Sequence, residues 1–100
     1  MQTTPMRLVT IIAEPVLEER IVSALHQLGA TGHTVSDVRG AGSRGIRASD
    51  PPGVSVRIQA VCRDAVADAI LAHVAEHYFA NYAVIAWTSA VEVVRGEKYQ

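Results

Sequence analysis

The chain has 100 residues, of which 49% are hydrophobic, so it accommodates a single domain with more apolar surface than a monomer of this size needs. Its formal net charge of −1 excludes the overall positive field with which a protein attracts nucleic acid or an anionic membrane, and any anion site therefore has to be local. The one cysteine, Cys62, excludes an internal disulfide and suits a cytoplasmic protein.

The first half of the chain is predicted to form a strand, a helix and a second strand. Residues 7–13 are a β-branched and aliphatic run of the kind found in buried strands. Pro15 suits the first turn of a helix, because its missing N–H has no partner there. The apolar residues that follow at helical spacing are Leu17, Ile21, Ala24, Leu25 and Leu28. Gly29 and Gly32 end this helix, and residues 33–39 form the second strand.

The second half repeats this order after an open segment, residues 40–53. Residues 54–61 alternate between apolar and polar side chains, which predicts a strand with one buried face. Asp64 is predicted to cap a second helix, which closes at Asn81. The apolar residues on one face of this helix are Val66, Ile70, Val74 and Tyr78. A long strand, residues 82–94, completes the pattern.

Strand, helix, strand, strand, helix, strand is the element order of the α+β ferredoxin-like fold. Right-handed crossovers turn it into a four-stranded antiparallel sheet with both helices on one face. The other face of the sheet is then uncovered, and its apolar side chains need a partner, which favours self-association. We expect residues 1–100 to form one such domain. The longest later apolar run, residues 83–87, is too short to cross a bilayer.

The segment of residues 40–53 is longer and more basic than a simple hairpin requires. A hairpin needs about two to five residues, and the chain spends about fourteen. Its charge is one-sided, with Arg39, Arg44 and Arg47 set against Asp50. Glycine lets backbone N–H groups converge on an anion, and the guanidinium fork matches phosphate or carboxylate oxygens. The pattern is neither a Walker loop nor a dinucleotide fingerprint, and an ordinary surface loop is the alternative interpretation.

His73 and His77 are four residues apart and therefore share a face of the second helix. This spacing can hold a metal ion, but no third ligand is evident, and the intervening residues do not match the His-Glu-x-x-His motif of zinc proteases. A solvated helix face is the simpler interpretation. His26 and His33 are isolated in the sequence, and His33 is a candidate to line a pocket beside the second strand.

No catalytic residue is predicted, because spacing alone pairs no nucleophile with a base. Cys62 follows an apolar strand and is interpreted as a small core residue. Trp87 is expected in the core or in a subunit interface. Tyr78, Phe79 and Tyr82 gather where the second helix leads into the last strand. Core packing is expected for them, and Tyr82 is also a candidate to lie beside a bound base or ribose.

Several segments of the chain resemble the PII family of signalling proteins. Gly-His-Thr-Val enters the predicted second strand at residues 32–35, and Gly-x-Gly stands at the base of the long loop. Three further stretches, GAGSRGIRAS (40–49), HYFANYAVIAW (77–87) and SAVEVVRG (89–96), resemble the divergent PII-like branch linked to inorganic carbon. That branch includes the regulator paired with a bicarbonate transporter and the carboxysome-associated PII-like proteins. The resemblance spans about residues 7–96.

The resemblance implies a homotrimer in which the sheets face inward and three clefts between subunits each bind an adenine nucleotide. Thr34 would lie along the adenine and ribose. The residues that would hold phosphate are Gly40, Gly42, Ser43 and Arg44, with Arg47 in reach. The residues that would close the cleft from the other subunit are Asn81, Tyr82, Ser89 and Ala90. The anion bicarbonate would bind beside the nucleotide, at Ser43, Arg44 and Arg47.

The chain also departs from typical PII proteins. Residues 79–84, before the last strand, lack the lysine that grips the outer phosphates in that family. The loop has Gly-Ala-Gly-Ser-Arg where PII proteins have Gly-Phe-Gly-Arg-Gln, and it has no tyrosine to be nucleotidylated. These differences argue against ATP with 2-oxoglutarate as the ligand pair, and against nitrogen sensing.

The sequence therefore predicts a cytoplasmic, non-catalytic sensor that binds AMP or ADP, with ATP and cyclic AMP as further candidates, together with bicarbonate. Residues 40–53 would form a flexible ligand-binding loop that acts on a bicarbonate transporter or a carboxysome-related protein, and so regulates the uptake or fixation of inorganic carbon. No nucleic-acid partner and no insertion into a membrane are expected. Two alternatives stay open: a protein-interaction module without a ligand of its own, and a metal-binding trimer that uses His73 and His77.

Overall fold

Four strands and two helices make up the described part of the chain, which is residues 1–40 and 53–100 of a computed structural model. The strands are β1 (Thr4–Ala13), β2 (Thr34–Arg39), β3 (Val54–Cys62) and β4 (Ile85–Val93), and the helices are α1 (Glu18–Gln27) and α2 (Asp64–Tyr78). Short 3-10 turns cover Pro15–Leu17 and Gly96–Tyr99. The predictions made for Gly42, Ser43, Arg44 and Arg47 fall outside the described residues.

The strands form one antiparallel sheet in the order β2-β3-β1-β4, with β3 and β1 in the middle. Helix α1 lies in the connection from β1 to β2, and α2 lies in the connection from β3 to β4. This topology confirms the predicted ferredoxin-like α+β fold. Within the two described ranges, neither helix has the length and apolar character needed to cross a membrane.

One face of the sheet packs against both helices and forms the core. The buried residues of the two inner strands on this face are Val9, Ile11, Ala13, Val56, Ile58, Ala60 and Cys62. Those that the two helices add are Ile21, Leu25, Val66, Ala67, Ile70, Val74 and Tyr78. The helical and alternating periodicities of the sequence are thereby confirmed, because most of the residues that they place inside are buried, and Ala24 and Leu28 are partly buried. Val54, at the exposed start of β3, is an exception.

The opposite face of the sheet, which we call the open face, is covered by neither α1 nor α2. The strand register places Thr10 beside Trp87 and Ile12 beside Ile85, and residues paired in this way point to the same side of a sheet. Trp87 is 45% exposed and Ile85 is 59% exposed. Trp87 is therefore not a core residue of a single copy, and its alternative location in a subunit interface stays a prediction.

Strand β1 begins at Thr4, earlier than the predicted residue 7. The sequence Thr-Thr-Pro gives no strand signal of its own, but Thr4 pairs with Val93 of β4 across the sheet. β1 is extended there because a partner strand supplies the hydrogen bonds. Long-range pairing, rather than local propensity, therefore decides where this strand starts.

The ends of α2 also differ from the prediction. Asp64 is the first residue of the helix and not its cap, because Arg63 occupies the cap position and no side chain there bonds to the free N–H groups. Asp64 still complements the positive end of the helix dipole from the first turn. The helix ends at Tyr78 rather than Asn81, and β4 begins at Ile85 because residues 79–84 form a turn.

Gly96 is buried against the start of β1, and a Cβ atom at this position would overlap the Oγ1 and Cβ atoms of Thr4. We expect Gly96→Ala to lower the free energy of unfolding by about 1–3 kcal/mol, because β1 or the C-terminal turn then has to move. Urea denaturation followed by circular dichroism measures this change. Gly32→Ala is the matched control, since its added Cβ meets no atom within 4 Å. Equal losses in the two variants would contradict the proposed contact.

Candidate functional site

The residues predicted to bind a nucleotide lie on the two edges of the sheet. Thr34 begins β2 and Gly40 follows its end, whereas Ser89 and Ala90 belong to β4. β3 and β1 separate these edges by about 14 Å, since neighbouring strands are about 4.8 Å apart. Within one copy of the chain, the two groups of residues therefore do not meet.

One end of the sheet, which we call the loop end, brings together several of the predicted residues. Its members are Glu14, Gly40, Gly53 and the turn of residues 79–84. The register shows this grouping, because β2 ends opposite the start of β3, and β1 ends opposite the start of β4. Gly40 and Gly53 flank residues 41–52, which carry the predicted phosphate ligands. Gly40 thus lies at the same end of the sheet as Asn81 and Tyr82.

Thr34 lies at the other end of β2 from Gly40. Six residue steps of about 3.3 Å separate the two positions by about 20 Å. A nucleotide that touched both residues of the same copy would have to lie fully extended along β2. Gly40 lies at the same end of the sheet as Asn81 and Tyr82 but beside the opposite edge strand, and Thr34 lies apart from all three.

Polar side chains surround Thr34 on the open face. Thr34 is exposed and pairs with Gln59 of β3, and the Gln59 amide Nε2 donates a hydrogen bond to Thr10 Oγ1 at 3.2 Å. Thr10 pairs in turn with Trp87, which completes a row across all four strands. The alternation of residues 54–61 places Gln59 only on the polar side of a strand. Its position beside Thr34 depends on the register between β2 and β3, which no local pattern reveals.

Ser89 and Ala90 point to opposite faces of the sheet. Ser89 pairs with Leu8 on the open face, and Ala90 pairs with Arg7 on the helix face. Ala90 lines a shallow cleft of about 460 Å³ together with Arg7 and Arg63. This cleft lies at the far end of the sheet from the loop end. Within one copy, the side chains of Ser89 and Ala90 therefore lie on different faces of β4.

The Arg7 guanidinium in this cleft is engaged by the fold. Its Nη2 atom lies 3.0 Å from Asp68 Oδ1 of α2 and donates to Thr88 Oγ1 at 3.1 Å, and Nη1 lies 3.9 Å from Asp64 Oδ1. These contacts join α2 to β1 and β4.

Cys62, paired with Arg7 across the sheet, is buried. Burial raises the pKa of its thiol, although the Arg7 charge acts in the opposite direction. The interpretation of Cys62 as a core residue is confirmed.

The turn of residues 79–84 has a defined backbone. The N–H groups of Asn81 and Tyr82 both donate to the Tyr78 carbonyl, at 3.2 and 3.0 Å, and the Val84 N–H donates to the Tyr82 carbonyl at 3.1 Å. The Tyr82 ring packs edge-on against Tyr78, with 5.9 Å between the centroids. Tyr82 is half-buried against the core and Asn81 is exposed. The core prediction for Tyr82 is therefore confirmed in part, and a ligand contact from its exposed portion stays a prediction.

His26 and His33 are not isolated in the structure. His26 Nδ1 donates to the Ala30 carbonyl at 3.0 Å, and its Nε2 lies 2.8 Å from Nδ1 of His33. In the neutral pair, His26 Nε2 is therefore the acceptor of a hydrogen bond from His33. The contact ties the end of α1 to the residue that precedes Thr34. The contact could not be predicted from the sequence, because the path of the loop between these residues decides the distance between the two rings.

His73 and His77 stack on the surface of α2, with 4.0 Å between ring centroids and 26° between ring planes. His77 Nδ1 donates to the His73 carbonyl at 2.9 Å. Partial burial lowers the pKa of His73, the neighbouring His77 acts in the same direction, and Glu76 opposes them. Within the described residues, no group of three or more His, Cys, Asp or Glu side chains is arranged to hold a metal ion. The metal alternative therefore has two ligands here, on nearly parallel rings whose lone pairs do not converge.

Solved structures with the same fold cover nearly the whole chain. A protein of Thermus thermophilus assigned to the PII-like signalling proteins is 48% identical, with 100% of each chain covered and a TM-score of 0.86. The CPII protein of Thiomonas intermedia K12 is 20% identical and covers 99% of this chain. Its structure with ADP, AMP and acetate has a TM-score of 0.86, and its structure with ADP and bicarbonate has a TM-score of 0.84. In each case, 98% of the CPII chain is covered.

The sequence itself matches a family model over nearly the same span. Residues 6–98 match the model of the nitrogen regulatory protein P-II, a family of regulatory signalling proteins. This range contains nearly all of the four strands and both helices of the described fold, and the two edges and the loop end on which the predicted site residues lie. The chain therefore belongs to the P-II family.

Proposed function

We propose that the chain is a non-catalytic sensor of the carbon-linked PII-like branch. It binds AMP or ADP, together with bicarbonate, in clefts between the subunits of a homotrimer. In this proposal, residues 1–100 form one cytoplasmic domain, and ligand binding changes the surface that residues 40–53 present to a protein involved in the uptake or fixation of inorganic carbon. The fold of CPII, which binds ADP and bicarbonate, supports this proposal.

The position of the predicted ligand residues is the observation that carries the proposal. Thr34 and Gly40 lie at one edge of the sheet, whereas Ser89, Ala90 and the turn before β4 lie at the opposite edge, about 14 Å away. A cleft between the edges of neighbouring copies would bring the two groups together. We therefore assign Thr34, Gly40 and the loop residues to one subunit of each cleft, and Asn81, Tyr82, Ser89 and Ala90 to its neighbour.

The open face supplies the interface that such an assembly needs. Ile85 and Trp87 are exposed on it, and Val91 and Val93 follow at alternate positions of the same strand. Exposed apolar side chains grouped on one face of a sheet are a common site of protein association. Three copies that bury this face would bring the edges of neighbouring sheets together.

The proposed binding of phosphate and bicarbonate depends on the arginines of residues 40–53. Guanidinium groups bind phosphate and bicarbonate oxygens through paired N–H donors, and a serine hydroxyl adds another. We assign bicarbonate to Ser43, Arg44 and Arg47, beside the nucleotide phosphate. Binding of the two anions at one cationic site would make the affinity for each depend on the other.

Calorimetric titration of the purified protein with AMP, ADP, ATP and cyclic AMP, each with and without bicarbonate, tests this proposal. We expect AMP or ADP to bind, and bicarbonate to change the affinity. A protein that binds none of the four nucleotides would contradict the sensor and favour an interaction module without a ligand. Metal analysis of the same preparation checks the alternative at His73 and His77.

A further inference from the structure

We infer that Glu14 is a positioning residue for the nucleotide site, because its carboxylate holds the turn of residues 79–84 in the shape that presents Asn81 and Tyr82. Glu14 Oε2 accepts a hydrogen bond from the Ala83 backbone N–H at 2.9 Å. The two residues are 69 positions apart in the sequence. This inference rests on the proposed function, since it concerns the affinity of the same site.

Glu14 provides the turn of residues 79–84 with a hydrogen bond that the backbone of the turn does not supply. Between residues 81 and 84, three of the four N–H groups donate to carbonyl groups within the segment 78–84. Ala83 is the exception, and it donates to a side chain from the end of another strand. The Glu14 contact therefore ties the backbone of the turn to the sheet, whereas the three internal bonds only fix its local shape.

Glu14 is itself held in place on both sides. It follows Ala13, which is fully buried at the end of the inner strand β1, and it precedes Pro15, whose ring restricts the backbone. The Glu14 carbonyl accepts a hydrogen bond from the Leu17 N–H at 3.0 Å. The carboxylate thus projects from a rigid part of the fold, which is the condition for positioning a neighbouring segment.

The contact should matter more for binding than for folding. Ala83 is exposed, so water can replace the carboxylate as the acceptor when Glu14 is removed. The turn would then sample more conformations, and a ligand would have to order it on binding. A loss of affinity without a comparable loss of stability therefore distinguishes a positioning role of Glu14 from a general contribution to folding.

The test compares Glu14→Ala and Glu14→Gln with the wild-type protein, and uses Glu19→Ala, on the exposed surface of α1, as a control for the lost charge. We expect Glu14→Ala to weaken ADP binding roughly fivefold in calorimetry. Glu14→Gln should stay within about twofold of the wild type, because its amide oxygen can accept the same hydrogen bond. Wild-type affinity in Glu14→Ala, or an equal loss in Glu14→Gln and Glu14→Ala, would overturn the positioning role.

Amide hydrogen exchange without nucleotide provides a second measurement. Glu14→Ala should speed exchange at Ala83 by about tenfold while the amides of β1 keep their protection. An Ala83 amide that is unprotected in the wild-type protein would overturn the inference, whatever the protein binds. Protection at Ala83 together with no nucleotide binding by the wild type would instead locate the failure in the proposed function, and Glu14 would then have no role in binding.

Discussion

Trp87→Asp is expected to dissociate the proposed homotrimer, so that the mass in solution falls from that of three 10.7 kDa chains to that of one. Trp87 is 45% exposed on the open face, in the edge strand β4, and an indole buries a large apolar area when two such faces meet. A carboxylate at this position would have to be desolvated without a partner. Sedimentation or light scattering measures the mass, and circular dichroism shows whether each copy stays folded.

Val16→Asp is the matched control for this substitution. Val16 is 72% exposed in the 3-10 turn before α1, outside the sheet, so a carboxylate there stays in water. We expect this variant to keep the wild-type mass. A trimeric Trp87→Asp variant would show that the open face is not the interface. A monomeric wild-type protein would contradict the intersubunit cleft altogether.

Arg44→Ala is expected to weaken ADP binding by roughly tenfold or more, because a hydrogen bond to a charged group contributes about 1.5–3 kcal/mol. This prediction comes from the sequence and its resemblance to PII-like proteins, since Arg44 lies outside the described residues. The structure contributes the location of Gly40 and Gly53, which hold both ends of the segment at the loop end of the sheet. Calorimetry with ADP measures the loss.

Arg20→Ala controls for the removal of one positive charge. Arg20 is exposed on α1 and is not among the residues predicted to bind the nucleotide. We expect its affinity for ADP to match that of the wild type. Unchanged affinity in Arg44→Ala would show that Arg44 does not contact ADP. Equal losses of affinity in both variants would show that the effect comes from the overall charge of the protein and not from a specific contact.

The interior of the fold could be predicted from the sequence because its signals are local. The alternation of β3 places Val56 and Ile58 inside, and the spacing along α2 places Ile70 and Val74 inside. Each pattern repeats within a few residues, and its period follows from the geometry of a strand or a helix. The order of elements then limits the sheet to few topologies, and the predicted one is correct.

The arrangement of the site was decided by the tertiary structure. The sequence indicated Thr34, Gly40 and Asn81 as ligand residues, but it contained no measure of the distance along β2 or across the sheet. Two contacts, Glu14 with Ala83 and His26 with His33, depend on strand register and on the path of a loop. No periodic pattern in the sequence predicts them. Composition and periodicity thus determined what is buried, whereas long-range pairing determined which polar groups meet. The physical reason is that burial follows from local repeats, whereas proximity between distant residues follows only from the pairing of strands in the assembled sheet.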